Sequence, residues 1–138
     1  MAASTFSLKI IATNKIYYDG RACSLVIPTR TGQRGILPYH EEMICAIDMG
    51  VLQFLRPDGE REEILVGAGS LQIANNRVIV LVDTAETRDE IDVRRAEEAA
   101  ERARERLRQK KSIEEYRMTQ AALARALSRL KFKGRSIE

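Results

Sequence analysis

Asp83-Thr-Ala-Glu-Thr-Arg-Asp-Glu-Ile-Asp-Val-Arg-Arg-Ala96 divides this chain. Upstream, apolar residues alternate and turn signals recur, as in β structure. Downstream, almost every residue is a good helix former. The charge changes sign at the same place. Residues 1–90 carry nine Lys+Arg against twelve Asp+Glu, and residues 91–138 carry fourteen against eight, so the overall +3 is a balance of −3 and +6. The stretch therefore joins two unlike halves. We expect a rigid half linked to a movable one, with function residing in the movement.

The composition fits a globular chain with a charged surface: 44% hydrophobic and 31% charged over 138 residues, enough for one ordinary domain or two small ones. No window approaches the roughly 18 unbroken apolar residues of a membrane helix. Met-Ala-Ala-Ser-Thr-Phe-Ser at the start of the sequence has no basic region followed by an apolar core, so no secretory signal is expected. Cys23 and Cys45 lie in apolar strand-like runs without metal-ligand spacing and read as buried reduced thiols. The basic excess lies in the last third, so an acidic partner is expected to meet that part.

Working back from the junction, Arg77–Asp83 is the most β-branched run of the chain, and Asn75-Asn76 before it is a turn. Pro57-Asp58-Gly59 is another, and Asp48-Met49-Gly50 breaks the strand region Met43–Arg56. Phe6, Leu8 and Ile10 alternate with polar residues at period two, Asp19-Gly20 reads as a hairpin turn, and Pro28–Gly35 reads as a loop ahead of a short strand at Gly35–His40. Turn signals at roughly 8–16 residues match an all-β sandwich or barrel.

Working forward, Ala96, Ala100, Ala103 and Leu107 repeat at 4-3-4 and form one helical stripe, predicting a helix from Asp92 to about Lys110. Ser112-Ile-Glu-Glu115 has the capping-box pattern. A second helix then runs to about Leu130, with a seam of Ile113, Tyr116, Gln120, Leu123, Leu127 and Leu130. Two such stripes suit an antiparallel hairpin. Alanine buries little area, so at ~25 cal/mol/Å² the hairpin is held weakly and is able to open. The fold class is α+β: an N-terminal all-β sandwich (1–84), a hinge (85–91) and a C-terminal antiparallel two-helix hairpin (92–138).

Three stretches carry a resemblance. They are Gly35-Ile-Leu-Pro-Tyr-His40 with Ile47-Asp-Met-Gly-Val-Leu52; Gly67-Ala-Gly-Ser-Leu-Gln-Ile73 with Val78–Val82 and Ala85-Glu86; and Ile91-Asp-Val-Arg-Arg-Ala96 with Arg125-Ala-Leu-Ser-Arg129-Leu. Together they span essentially the whole chain, which resembles the epsilon subunit of bacterial and chloroplast F-type ATP synthases (equivalent to the mitochondrial delta subunit). One departure is local. Glu41-Glu42-Met43-Ile44 stands where the family usually has Ala-Pro-Leu-Leu or similar.

The resemblance implies a non-catalytic rotor subunit that needs no cofactor. Its sandwich would sit on the foot of the gamma subunit against the c-ring. Its hairpin would either fold on the sandwich or extend along the shaft, where it blocks ATP hydrolysis by the alpha/beta catalytic head. It further implies a peripheral position on the cytoplasmic face of the plasma membrane, or on the thylakoid stromal face if the source is a plastid.

Some members of the family bind ATP between the two helices. The residues matching that activity are Glu86, Ile91, Asp92, Arg95 and Ala96 at the first helix start, with Arg125 and Arg129 on the second helix. The chemistry is sound on its own terms. Arg125 and Arg129 are i,i+4 and share a face toward a polyphosphate. Arg95 and Arg102 are i,i+7 and would face them across the hairpin. Ala96 leaves room for a base or ribose, and Asp92 or Glu86 accepts hydrogen bonds from an adenine amino group or sugar hydroxyl. The bland alternative is that Asp92 is an N-cap, Arg95 pairs with it, and the arginines are a solvated face.

No catalytic or metal site is expected. His40 has no second ligand nearby, no nucleophile triad is present, and Gly67-Ala-Gly69 lacks the context of a phosphate loop; its glycines suit a bulge or close packing. The basic end Lys131-Phe-Lys-Gly-Arg135 raises a nucleic-acid adaptor as a rival class. Only seven aromatics and no stacking motif argue against it, so no nucleic acid is expected as a partner. Under the resemblance, the arginines instead attract an acidic segment of the catalytic subunits.

Overall fold

A computed structural model describes residues 4–13, 15–109 and 113–134. The chain divides into two compact units, Met1–Glu86 and Thr87–Glu138.

The first unit is a β-sandwich. Its strands are β1 (Phe6–Ala12), β2 (Lys15–Ala22), β3 (Ser24–Thr29), β4 (Gly32–Ile36), β5 (Met43–Ile47), β6 (Gly50–Leu55), β7 (Arg61–Val66), β8 (Gly69–Ala74), β9 (Arg77–Val82) and β10 (Ala85–Glu86). One sheet has the order β2-β1-β9-β8-β5 and the other β10-β7-β6-β3-β4. All pairs are antiparallel except β1 with β9. The alternation of β1 has the expected consequence: Phe6, Leu8, Ile10 and Ala12 are buried while Ser7, Lys9 and Ile11 are not. With Leu25, Ile27, Ile36, Leu52, Phe54, Ile64, Leu71 and Val80 they fill the space between the sheets. Asn75 and Asn76 both take positive φ, 52° and 59°, as the two-residue turn between β8 and β9 requires.

Two turn assignments need correction. Asp19-Gly20 is not a hairpin turn but lies within β2, whose partner β1 turns back between Ala12 and Lys15. Gly20 is there for space, since an added Cβ would lie 2.9 Å from Tyr18 Oη. Pro28–Gly35 is not one loop. Pro28 pairs with Gln33 in the β3–β4 hairpin, and only Arg30-Thr31 turn. A proline fits because β3 meets β6 only through Ser24–Val26, so no bond on that side is lost at Pro28.

The cysteines are free and half-buried rather than fully buried. His40 is half-buried, its Nδ1 2.9 Å from the Glu41 carbonyl oxygen, as a turn-stabilising histidine would be. Among the described residues no cluster of His, Cys, Asp and Glu has the geometry to hold a metal.

The second unit is a pair of helices, α1 (Val93–Arg108) and α2 (Ile113–Gly134), packed on each other. The capping box at Ser112 lies outside the described residues. On α1 the alanine stripe behaves as its spacing requires: Ala96, Ala100 and Ala103 are buried and Leu107 is half-buried. On α2 the seam differs from the stripe of large apolar residues. Ile113, Tyr116 and Leu127 are exposed, whereas Ala126 and Phe132 are buried and Ala122, Leu123 and Leu130 half-buried. An alanine-lined helix allows close approach, and a small residue, Ala126, then occupies the tightest place. The larger side chains are displaced to its flank. No described helix is long and apolar enough to cross a membrane.

Candidate functional site

The hairpin unit begins with a tight turn. The Thr87 N–H donates to Glu90 Oε1 at 3.4 Å, and the Glu90 N–H donates back to Thr87 Oγ1 at 3.3 Å. This is the reciprocal pattern of a capping box. Its sequence signal is Thr87-Arg-Asp-Glu90, the same Ser/Thr-x-x-Glu pattern as at Ser112–Glu115. Asp92 follows as the N-cap of α1, with extended φ −89° and ψ 104°, and its Oδ1 accepts the Arg95 N–H at 3.1 Å. Asp92 spends that oxygen on the helix and keeps Oδ2 for another donor.

Two sets of contacts fix the register of the helices. Arg88 touches Phe132 and Lys133 at one end. At the other, Arg102, Glu105, Arg106 and Gln109 share a groove of about 570 Å³ with Glu115, Tyr116, Met118 and Thr119. The helices are thus antiparallel. Counting inward from either set, residues 92–96 lie across from residues 125–129.

Of the sequence-derived residues, Ile91 and Ala96 are buried, Asp92, Arg95 and Arg125 are exposed and Arg129 is half-buried. All of these belong to the hairpin, on the two facing segments. Arg102 lies seven residues beyond Arg95, about 10 Å along the axis at 1.5 Å per residue, and lines the groove near Thr119 rather than the segment 125–129. Glu86 belongs to the other unit, on β10, where it pairs with Leu65.

The charges of α1 are sorted by face. Arg94 pairs with Glu98 at 3.4 Å, Arg104 with Glu101 at 3.7 Å and Arg108 with Glu105 at 2.8 Å. Arg95, Arg102 and Arg106 fall at i, i+7 and i+11, within one narrow stripe. None of the three makes an ion pair among the described residues. Such a stripe suits an anion, and Arg106 is a member that the family pattern did not point to.

The sandwich unit and the hairpin unit each match a family model: ATP synthase delta/epsilon chain beta-sandwich domain over residues 5–88, and delta/epsilon chain long alpha-helix domain over residues 89–134. The chain belongs to the ATP synthase delta/epsilon family. The ATP synthase epsilon chain of Caldanaerobacter subterraneus subsp. tengcongensis is 41% identical over 128 residues, covering 92% of each chain. That of Moorella thermoacetica is 36% identical over 131 residues, covering 95% of this chain and 98% of the relative. Among solved structures, a chain of the Euglena gracilis mitochondrial ATP synthase, in a complex of OSCP, F1 and c-ring, has the same fold. The TM-score is 0.71 at 17% identity, over 95% of this chain and 78% of that one. The family's two-part layout is the layout of this chain, and the segment Ile91–Ala96 opens its helical part.

Proposed function

We propose that this chain is a regulatory and coupling subunit of an ATP synthase rotor, without catalysis of its own. The sandwich docks on the gamma subunit and the c-ring. The hairpin, when extended, inhibits ATP hydrolysis by the alpha/beta head. ATP held between Asp92–Ala96 and Arg125–Arg129 favours the folded hairpin. The subunit is peripheral to the membrane through its complex.

The observation that carries this reading is the alanine seam. Ala96, Ala100, Ala103 and Ala126 make up all the buried residues of the two helices except Phe132. A buried methyl-sized group contributes about 0.8 kcal/mol, against 1.5–3 kcal/mol for a buried leucine or phenylalanine. A hairpin held this lightly is one that a ligand can close and a partner can open. The sandwich presents Leu37, Tyr39 and Ile44, which are 64%, 75% and 79% exposed, around the family's Gly35–His40 stretch, as a docking surface would.

Two experiments test the reading. A tagged copy expressed in its own cells is expected to recover gamma and the catalytic subunits; recovery of nucleic acid alone, lost at high salt, would contradict it. Calorimetry of the isolated subunit is expected to show ATP binding that Arg125→Ala abolishes. Undiminished heat in that variant would displace the site.

A further inference from the structure

We propose that Arg88, Phe132 and Lys133 form a clasp that locks the hairpin shut at its nucleotide end. Arg88 lies outside both helices, in the turn that precedes α1. Its guanidinium carbon stands 4.3 Å from the centroid of the Phe132 ring. Its Nε donates to the Phe132 carbonyl oxygen at 3.2 Å. In return, Lys133 Nζ donates to the Arg88 carbonyl oxygen at 2.9 Å. Three contacts of different kinds therefore join the same two short segments, 44 and 45 residues apart in sequence.

Each contact has a physical reason to form here. The Phe132 carbonyl oxygen lies in the last described turn of α2, where it is within reach of the turn that precedes α1. The helix dipole favours a cation toward its C-terminal side. Arg88 supplies both the donor and the charge. Phe132 is 1% exposed and Arg88 half-buried, so their contact is partly screened from water, which strengthens cation–π attraction. The Thr87–Glu90 box fixes the backbone of the turn, and the Ile91 N–H shares the same Arg88 carbonyl at 3.2 Å. The turn is therefore held by contacts within its own residues, 87–91, as well as by α2.

The clasp acts as a switch element because it joins chain on opposite sides of the alanine seam. Separating the helices breaks all three contacts at once. It lies within one helical turn or so of Asp92 and Arg129, so closing the clasp also brings the two halves of the nucleotide site together. Clasp and nucleotide then favour the same closed state, and each strengthens the other by the same factor. This coupling rests on the nucleotide reading above; the clasp itself does not.

Hydrogen exchange on the full-length protein without nucleotide tests the clasp. Arg88→Ala is expected to speed exchange in the last turns of α2 and the first turn of α1 by about fivefold or more, with the sandwich strands unchanged. Phe132→Leu, which keeps an apolar side chain in place but removes the ring, is expected to act in the same direction. Wild-type exchange rates in both variants would overturn the clasp. In the second arm, Arg88→Ala is expected to weaken ATP binding about fivefold or more. Faster exchange with unchanged ATP affinity would overturn the coupling. A wild-type protein that binds no ATP would overturn the nucleotide reading, while the exchange result alone decides the clasp.

Discussion

The Asp92 carboxylate accepts the Arg95 backbone N–H at 3.1 Å, so the first acid of the family motif is also the cap of α1. The two roles are separable. Asp92→Asn keeps a cap acceptor and is expected to leave hairpin stability nearly unchanged, whereas Asp92→Ala costs about 1 kcal/mol. Thermal unfolding followed by helix circular dichroism measures both. Equal stability of the two variants would show that the cap contributes nothing. If ATP binding weakens in both, the lost charge accounts for it rather than a frayed helix.

Gly69 on β8 lies against the backbone of β9. An added Cβ would run into the Leu81 carbonyl and stand 2.7 Å from Val82 Cα. Gly69→Ala is therefore expected to destabilise the sandwich by about 1–3 kcal/mol. Gly35→Ala is the control, because its Cβ would meet nothing within 4 Å. It is expected to stay within about 0.5 kcal/mol of wild type. Urea unfolding of the two variants decides the matter; similar midpoints would refute the close-packing account of Gly69.

Burial raises the Tyr18 phenol above its ordinary value of 10.0, against an opposing pull from Arg56. Its hydroxyl donates to the Arg21 carbonyl at 2.6 Å, and its ring lies 4.6 Å from that of Phe54. With the folded value above the unfolded one, the stabilising contribution is complete below about pH 10. As pH rises further the unfolded chain ionises first, and the contribution is lost through the folded value. The stability gap between wild type and Tyr18→Phe is thus expected to narrow above pH 10. A gap that stays constant from pH 8 to 11 would contradict this.

Much of the fold was legible because the sandwich depends on local pattern. Phe6, Leu8 and Ile10 announce one buried face by alternation alone, and Asn75-Asn76 announces a turn whose φ angles few other residues adopt. Asp19-Gly20 misled because Gly20 serves the Tyr18 ring, a contact that no turn propensity encodes. On α2 the stripe chosen by size, Ile113, Tyr116 and Leu127, proved exposed, since the spacing of two packed helices selects small side chains and hydropathy selects large ones. Motif and helical spacing pointed to Asp92–Ala96, Arg125 and Arg129, and the antiparallel helices put these two segments across from each other. Arg88 gave no signal, because its partners at 132 and 133 become neighbours only when the hairpin closes.

If the helices restrain ATP hydrolysis, as proposed, removing them releases it. The most direct measurement compares steady-state ATP hydrolysis by the complex assembled with the full chain and with a chain lacking residues 91–138. The truncated subunit is expected to assemble still, and hydrolysis to rise. Equal rates in complexes of equal subunit content would contradict it.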